Sequence, residues 1–347
     1  MRRRPAVMSL RPAALGLVVL VFGLQSSAVA TNTTPVRGFT AAPLIARAYD
    51  AILDADFERV PKLVKQTCPP APRVACLGLQ ALNSWWQIQL DPQSRALDAE
   101  FRSTVDAAID EAGRNTVAEP ERAEAWFYLG AAYGVRAQWR VLRGERLAAA
   151  RDGKRIKTAL ERALTLDPNM HDAEFGIGMY RYYAATAPVA LRWLRWLFLL
   201  PGGNRVEGLQ QLERAAERGQ LVSGEAQFQI HVIYLWYENK AREALPLIRG
   251  LQARYPRNPL FRQIEAEILD AYLHDPAASL DASEQLLALA RAAAVHRAGS
   301  AAIVARLNMA RQLRALGQRA EARDQLDAII ALAPARPTGA LASAQRM

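Results

Sequence analysis

The chain is poor in the residues that metal and nucleophile chemistry need. It has 347 residues but only two cysteines and four histidines. His171, His231, His274 and His296 all lie away from any ligand spacing to Cys68 and Cys76, which argues against a zinc centre. There is no H-E-x-x-H, no G-x-S-x-G and no Cys/His/Asn arrangement, so the sequence offers no hydrolase signature. His171 and Glu174 stand one helical turn apart with no third partner in the pattern, which reads as a surface pair. No convincing run alternates apolar with polar residues, so strands are not expected. The expectation is a protein that is not an enzyme and holds no cofactor or metal.

Long apolar runs are also missing. The longest at the N-terminus, Ala13 to Leu24, has 12 residues, which as a helix spans only about 18 Å against a hydrocarbon core of roughly 30 Å. Arg2, Arg3, Arg4 and Arg11 precede it, and Ala28-Val29-Ala30 has the small-x-small form of a cleavage site. This is the pattern of a secretory signal cleaved after Ala30, with export to the periplasm. Residues 31–40 are expected as a flexible lead-in. Once the leader is set aside, 40 basic against 34 acidic residues leave a net charge of +6. So small an excess, spread along the chain, gives no nucleic-acid footprint. In an oxidising compartment, Cys68 and Cys76 around Pro69, Pro70 and Pro72 read as a small disulfide loop worth roughly 2.5 kcal/mol on the chain-entropy estimate. Two buried free thiols are the alternative.

What the sequence does have is helix formers. From Ala41 onward Ala, Leu, Arg, Glu and Gln dominate, with apolar residues at three- and four-residue steps. Proline clusters at Asp91-Pro92, Asp167-Pro168, Tyr255-Pro256 and Ala333-Pro334 should each end a helix.

Within Ala125 to Asn169, Trp126, Leu129, Gly130 and Tyr133 form W-x2-L-G-x2-Y, and Leu160, Ala163 and Pro168 take the spacing of a second helix. This segment resembles the tetratricopeptide repeat (TPR). Gly317, Glu321, Ala322, Leu326, Ile329 and Pro334 echo the pattern, as do Ala244, Ile248, Leu251 and Pro256, and Gly208, Leu212 and Ala215, with Gly178 as a further small crossing residue. The resemblance implies an all-α, irregular TPR-like superhelix of antiparallel hairpins over residues 123–334, with a helical cap over 41–122 that includes the disulfide loop, and a C-terminal tail over 335–347. The intervals between closing prolines exceed whole repeats, and the largest excess holds a short apolar, amphipathic segment at 188–201 that contains Trp193 and Trp196.

Three features could bind a partner. Arg136, Arg140 and Arg143 form a stripe beside Trp139, suited to a carboxylate or to pairing with neighbouring acids. Tyr180, Tyr182 and Tyr183, like the run Tyr234-Leu235-Trp236-Tyr237-Glu238, are too closely spaced for all to be core, and some could line a binding surface. Trp193 and Trp196 would suit a groove or a membrane surface, or would pack as core. Pro201-Gly202-Gly203-Asn204-Arg205 reads as a turn without a nucleotide role. The resemblance implies a scaffold that binds a protein or peptide in the bacterial envelope. The alternative is an envelope protein that binds an amphiphile or makes peripheral membrane contact through Trp193 and Trp196.

Overall fold

Helix is the only regular structure among the described residues, 38–186 and 202–347 of the computed structural model, and the proline clusters punctuate it as expected. The first four helices are α1 (Ala42–Leu53), α2 (Val60–Thr67), α3 (Arg73–Gln89) and α4 (Asp98–Ala118). Then follow α5 (Ala123–Leu142), α6 (Arg146–Leu166), α7 (His171–Thr186), α8 (Arg205–Arg218), α9 (Ser223–Trp236) and α10 (Ala241–Arg254). The last five are α11 (Pro259–Glu267), running into a π turn at Ile268–Tyr272, α12 (Pro276–Arg291), α13 (Ala298–Ala315), α14 (Arg319–Leu332) and α15 (Ala340–Arg346). Helices consecutive in the chain pack against one another in pairs, notably α5 on α6, α7 on α8, α9 on α10 and α12 on α13. The leader, Trp193 and Trp196 lie outside the described residues. No described helix is long and apolar enough to cross a membrane.

Each stop has a local cause. Proline cannot continue a helix, and Asp167 and Tyr255, each standing just before one, leave the helical region to close α6 and α10. Gly317, with φ of +81°, makes the left-handed turn between α13 and α14 that an L side chain resists. Asn204 caps α8 by accepting the Glu207 N–H at 3.1 Å, so the described part of the expected turn, from Gly202, leads into a helix start. Cys68 closes α2 and Cys76 opens α3, with their sulfurs at bonding distance and Cα atoms 6.3 Å apart.

The small crossing residues sit where helices approach most closely. A Cβ on Gly130 would lie 2.4 Å from Leu160 Cδ2, and Ala244 and Ala322 are buried at their own crossings. Trp126, Leu129 and Tyr133 are only partly buried; the interior face of α5 is Phe127, Tyr128, Ala132 and Trp139, because α3, α4, α6 and α7 surround this helix. At the crossing of α7 and α8 the two backbones themselves approach. There a Cβ on Gly208 would stand 2.7 Å from the Tyr182 backbone N and 2.8 Å from the Gly178 carbonyl oxygen. At Gly130 the obstacle is the buried Leu160 side chain, whereas at Gly208 it is backbone. Gly208→Val should therefore destabilise the protein by about 3 kcal/mol or more. Gly250→Ala, with open space around it, should cost nothing. Thermal unfolding followed by circular dichroism separates the two, and equal melting of both variants would show that α7 and α8 are not this close.

The N-terminal helices do more than close one end. Ile45, Tyr49, Ile52 and Leu53 of α1 share a single core with Phe228, Leu251, Tyr255 and Phe261. Asn258 Nδ2 donates to the Leu53 carbonyl at 2.8 Å, the Arg257 N–H donates to Asp54 at 3.0 Å, and Tyr255 Oη donates to Asp50 at 2.8 Å. Trp86 of α3 is fully buried between Phe228 and Phe261. The face of α9 to α11 that a partner could have used is thus covered by the chain's own first helices. The expected lead-in is anchored at its end, since Phe39 packs on Phe127 and the Thr40 N–H donates to Glu124 at 2.9 Å. Residues 335–347, expected as a tail, contain α15, whose Ala340 and Ala344 are buried against Ile303, Leu307 and Ala310. The Thr338 hydroxyl donates to Asp91 at 3.1 Å.

Candidate functional site

The arginine stripe faces its own protein. Arg136 lies on α5 one turn before Arg140, so both side chains reach the same carboxylate, Asp152 on α6, which is fully buried. Arg136 donates to both Asp152 oxygens at 3.0 and 2.8 Å, Arg140 donates to one at 2.5 Å, and Arg155 approaches at 3.3 Å. Burial works against the charge on Arg136, but its hydrogen bonds to Asp152 and Asp106 prevail and raise its pKa. Arg143, one turn further on, is 6% exposed and donates to Asp98 at 2.7 Å and to two backbone carbonyls. Trp139 is buried and donates its Nε1–H to Asp98 at 3.1 Å. These four residues join α5 to α4 and α6, and acids from neighbouring helices, the buried Asp152 and the more exposed Asp98 and Asp106, take up their charge and donors. Of the alternatives in the sequence, pairing with neighbouring acids is the one seen.

The aromatic cluster is split by depth. Tyr182 is fully buried, its hydroxyl bonded to Glu238, and both Tyr180 and Tyr183 are half-buried. Tyr183 and Tyr182 pack edge to face on Tyr237, with ring centres 5.3 and 5.9 Å away. Tyr237 lies at the end of α9. Arg205, at the start of α8, clasps that end by donating to Glu238 at 2.7 and 2.6 Å and to the Tyr237 carbonyl at 3.2 Å. Bonding to Arg205 holds the Glu238 carboxyl below its usual range, outweighing partial burial. Next to the clasped residues in the chain, at the start of α8 and the end of α9, are three exposed apolar side chains: Val206 at 67%, Trp236 at 65% and Tyr237 at 43% exposure. Large apolar groups next to a satisfied ion pair have the make-up of an interface centre with a polar rim. Sequence reasoning found the tyrosines and Trp236, the latter in the run Tyr234 to Glu238, but missed Val206. The signal available was the two ends of adjacent helices, each with an apolar residue next to a charged one.

A third cluster is sealed inside. Glu225, in the first turn of α9, is buried and accepts from Tyr49 Oη at 3.2 Å and Trp86 Nε1 at 3.1 Å on one oxygen, while its other oxygen has no partner among the described residues. Burial pushes its pKa up to about 7, against the hydrogen bonds from Gln229, Tyr49 and Trp86. His231, two turns below, is pushed down to about 4 by burial and stays neutral at physiological pH. The acid and its donors hold α1 and α3 to α9. His171 bonds Glu174 at 3.0 Å, and Glu174 in turn bonds Arg214 at 2.7 Å, which makes a small surface network. No group of His, Cys, Asp and Glu residues among the described residues could hold a metal ion.

Comparison with known proteins assigns no relationship: no protein-family model matches the chain, and no curated protein matches it significantly.

Proposed function

We propose that this chain is an exported, TPR-like helical scaffold that binds a protein in the bacterial envelope, and that the partner docks on the exposed ends of α8 and α9. The observation that carries the reading is the exposure of the apolar residues Val206, Trp236 and Tyr237, with Tyr237 packed on Tyr182 and Tyr183 and with Arg205 bonded to Glu238. The partner should bring an apolar or aromatic anchor, since tryptophan and tyrosine give most at a desolvated interface centre. The consecutive helix pairs with glycine at their crossings support the TPR-like part of the proposal. The N-terminal signal pattern supports export.

The test is photo-crosslinking in cells that export the protein. A photoreactive residue at 236 should give a discrete protein adduct that is absent when the same residue replaces the still more open Val117. Val206→Glu should remove that adduct while leaving the unfolding curve unchanged, because exposed substitutions usually act within about 0.5 kcal/mol. The same adducts at both positions would reject the docking surface. Lipid adducts alone at 236 would instead favour the membrane-contact alternative.

A further inference from the structure

Far along the chain from the α8 and α9 ends, two adjoining clefts open where the α3–α4 turn, the start of α11, the start of α13 and the C-terminal segment meet. Both are small, about 20 and 60 Å³, and both are lined by Asp91, Arg297 and Arg336. The two guanidinium groups face one carboxylate, and that carboxylate is already engaged. Asp91 is buried, and its oxygens accept from the Thr338 N–H at 3.3 Å and the Thr338 hydroxyl at 3.1 Å. Arg297 makes one long bond, 3.3 Å to Gln87, and among the described residues Arg336 makes none and neither arginine has an ion pair. This is the reverse of the α5 stripe, where every arginine is matched by an internal acid.

Backbone structure adds to the positive end. Arg297 is the N-cap of α13 in a left-handed conformation (φ of +48°), so no side-chain oxygen caps the first turn, and no acidic residue lies within it. His296, next to Arg297 and lining the same cleft, has a buried Nε2 without a partner, its ring held edge to face on Phe57. Burial and the charge of Arg336 together lower the pKa of Arg297, with Asp91 acting the other way. The opposite wall is apolar, formed by Pro259, Ala301 and Val304.

We propose that this cleft is a carboxylate-binding site that takes a monoanionic carboxylate between Arg297 and Arg336, with the body of the ligand left outside the narrow cleft. Monoanionic charge follows from the sum of two arginines and one aspartate, and planar geometry follows from the fork of the guanidinium. The inference does not depend on the α8 and α9 surface and would stand if that docking reading failed. A free short-chain acid and the C-terminus of a peptide offer the same chemistry, so both are probed.

The experiment titrates the full mature protein with hexanoate, hexanamide, a tripeptide with a free C-terminus, its amide, and inorganic phosphate, and follows backbone amide shifts by NMR. The two carboxylates should bind, and the two amides should not. Arg336→Gln, a change at an exposed residue with no bond to lose, should weaken carboxylate binding at least tenfold without altering the melting curve. Arg297→Gln should do the same and serves as the second variant. Stronger binding of hexanoate assigns the site to a free acid, and stronger binding of the tripeptide assigns it to a chain terminus. Equal shifts with acid and amide, tighter binding of phosphate than of either carboxylate, or binding unaffected by Arg336→Gln would overturn the proposal.

Discussion

Asp152→Ala should destabilise this protein by about 3 kcal/mol and up to about 5, as expected when one partner of a buried ion cluster is removed. The reason is that Asp152 is fully buried and receives Arg136, Arg140 and Arg155, of which Arg136 and Arg140 are 12% and 21% exposed. Taking away the acid leaves two guanidinium groups crowded between α5 and α6 with their donors unmatched. Partial access to water should hold the loss toward the lower figure. Asp106→Ala is the control. Asp106 also bonds Arg136, at 2.7 Å, but is 56% exposed, so its loss should cost no more than about 1 kcal/mol. Urea unfolding measures both, read as a shift in midpoint at constant slope. A loss under about 1 kcal/mol for Asp152→Ala would mean that the arginines are free to serve a ligand after all. By the same logic, Arg140→Glu with Arg143→Glu should lower the melting temperature sharply, since each new carboxylate would face Asp152 or Asp98.

The second large effect is a dependence on pH carried by Glu225. Its folded pKa of about 7 lies above the ordinary 4.5, so the folded state keeps a proton that the unfolded state gives up. The contribution is therefore fully present below pH 4.5 and is lost as pH rises through 7. Over that interval it amounts to about 3 kcal/mol, at 1.36 kcal/mol for each pKa unit. Glu225→Gln keeps an acceptor for Tyr49 and Trp86 but cannot ionise. The variant should lose that part of the pH slope and should be the more stable protein at pH 8. Denaturation series from pH 4.5 to 8 on both proteins give the answer, with the difference between them isolating this group from Asp54, whose carboxyl is also raised by burial. Parallel curves would show that Glu225 is already ionised in the folded state, and that α1 and α3 are held to α9 by a charged acceptor.

How far the sequence could be read depended on the range of the interaction. Helix formers, periodicity and proline act within a few residues, so the all-α class, the stops at Asp167 and Tyr255, and the turn at Gly317 were legible. Gly130 and Gly178 were legible as crossings too, since a residue without a side chain in a helical face has few other uses. Partners brought together across long stretches of chain were not. Nothing near Arg136 announces that Asp152 will be buried, and nothing near Glu238 announces that Arg205 will bond it.

By itself, then, the sequence determined helices, their ends and their close crossings, because hydrogen bonding, steric exclusion by proline and the missing side chain of glycine act locally. Tertiary structure alone decided which charged and aromatic residues remain available. Burial drew Arg136, Arg140, Trp139 and Tyr182 inward to acids supplied by other helices, and folded α1 across the face of α9 to α11. It left Trp236 in the open and, among the described residues, Arg297 and Arg336 without an ion pair. Charge pays a desolvation cost that depends on what the rest of the chain places beside it, and that neighbourhood exists only after folding.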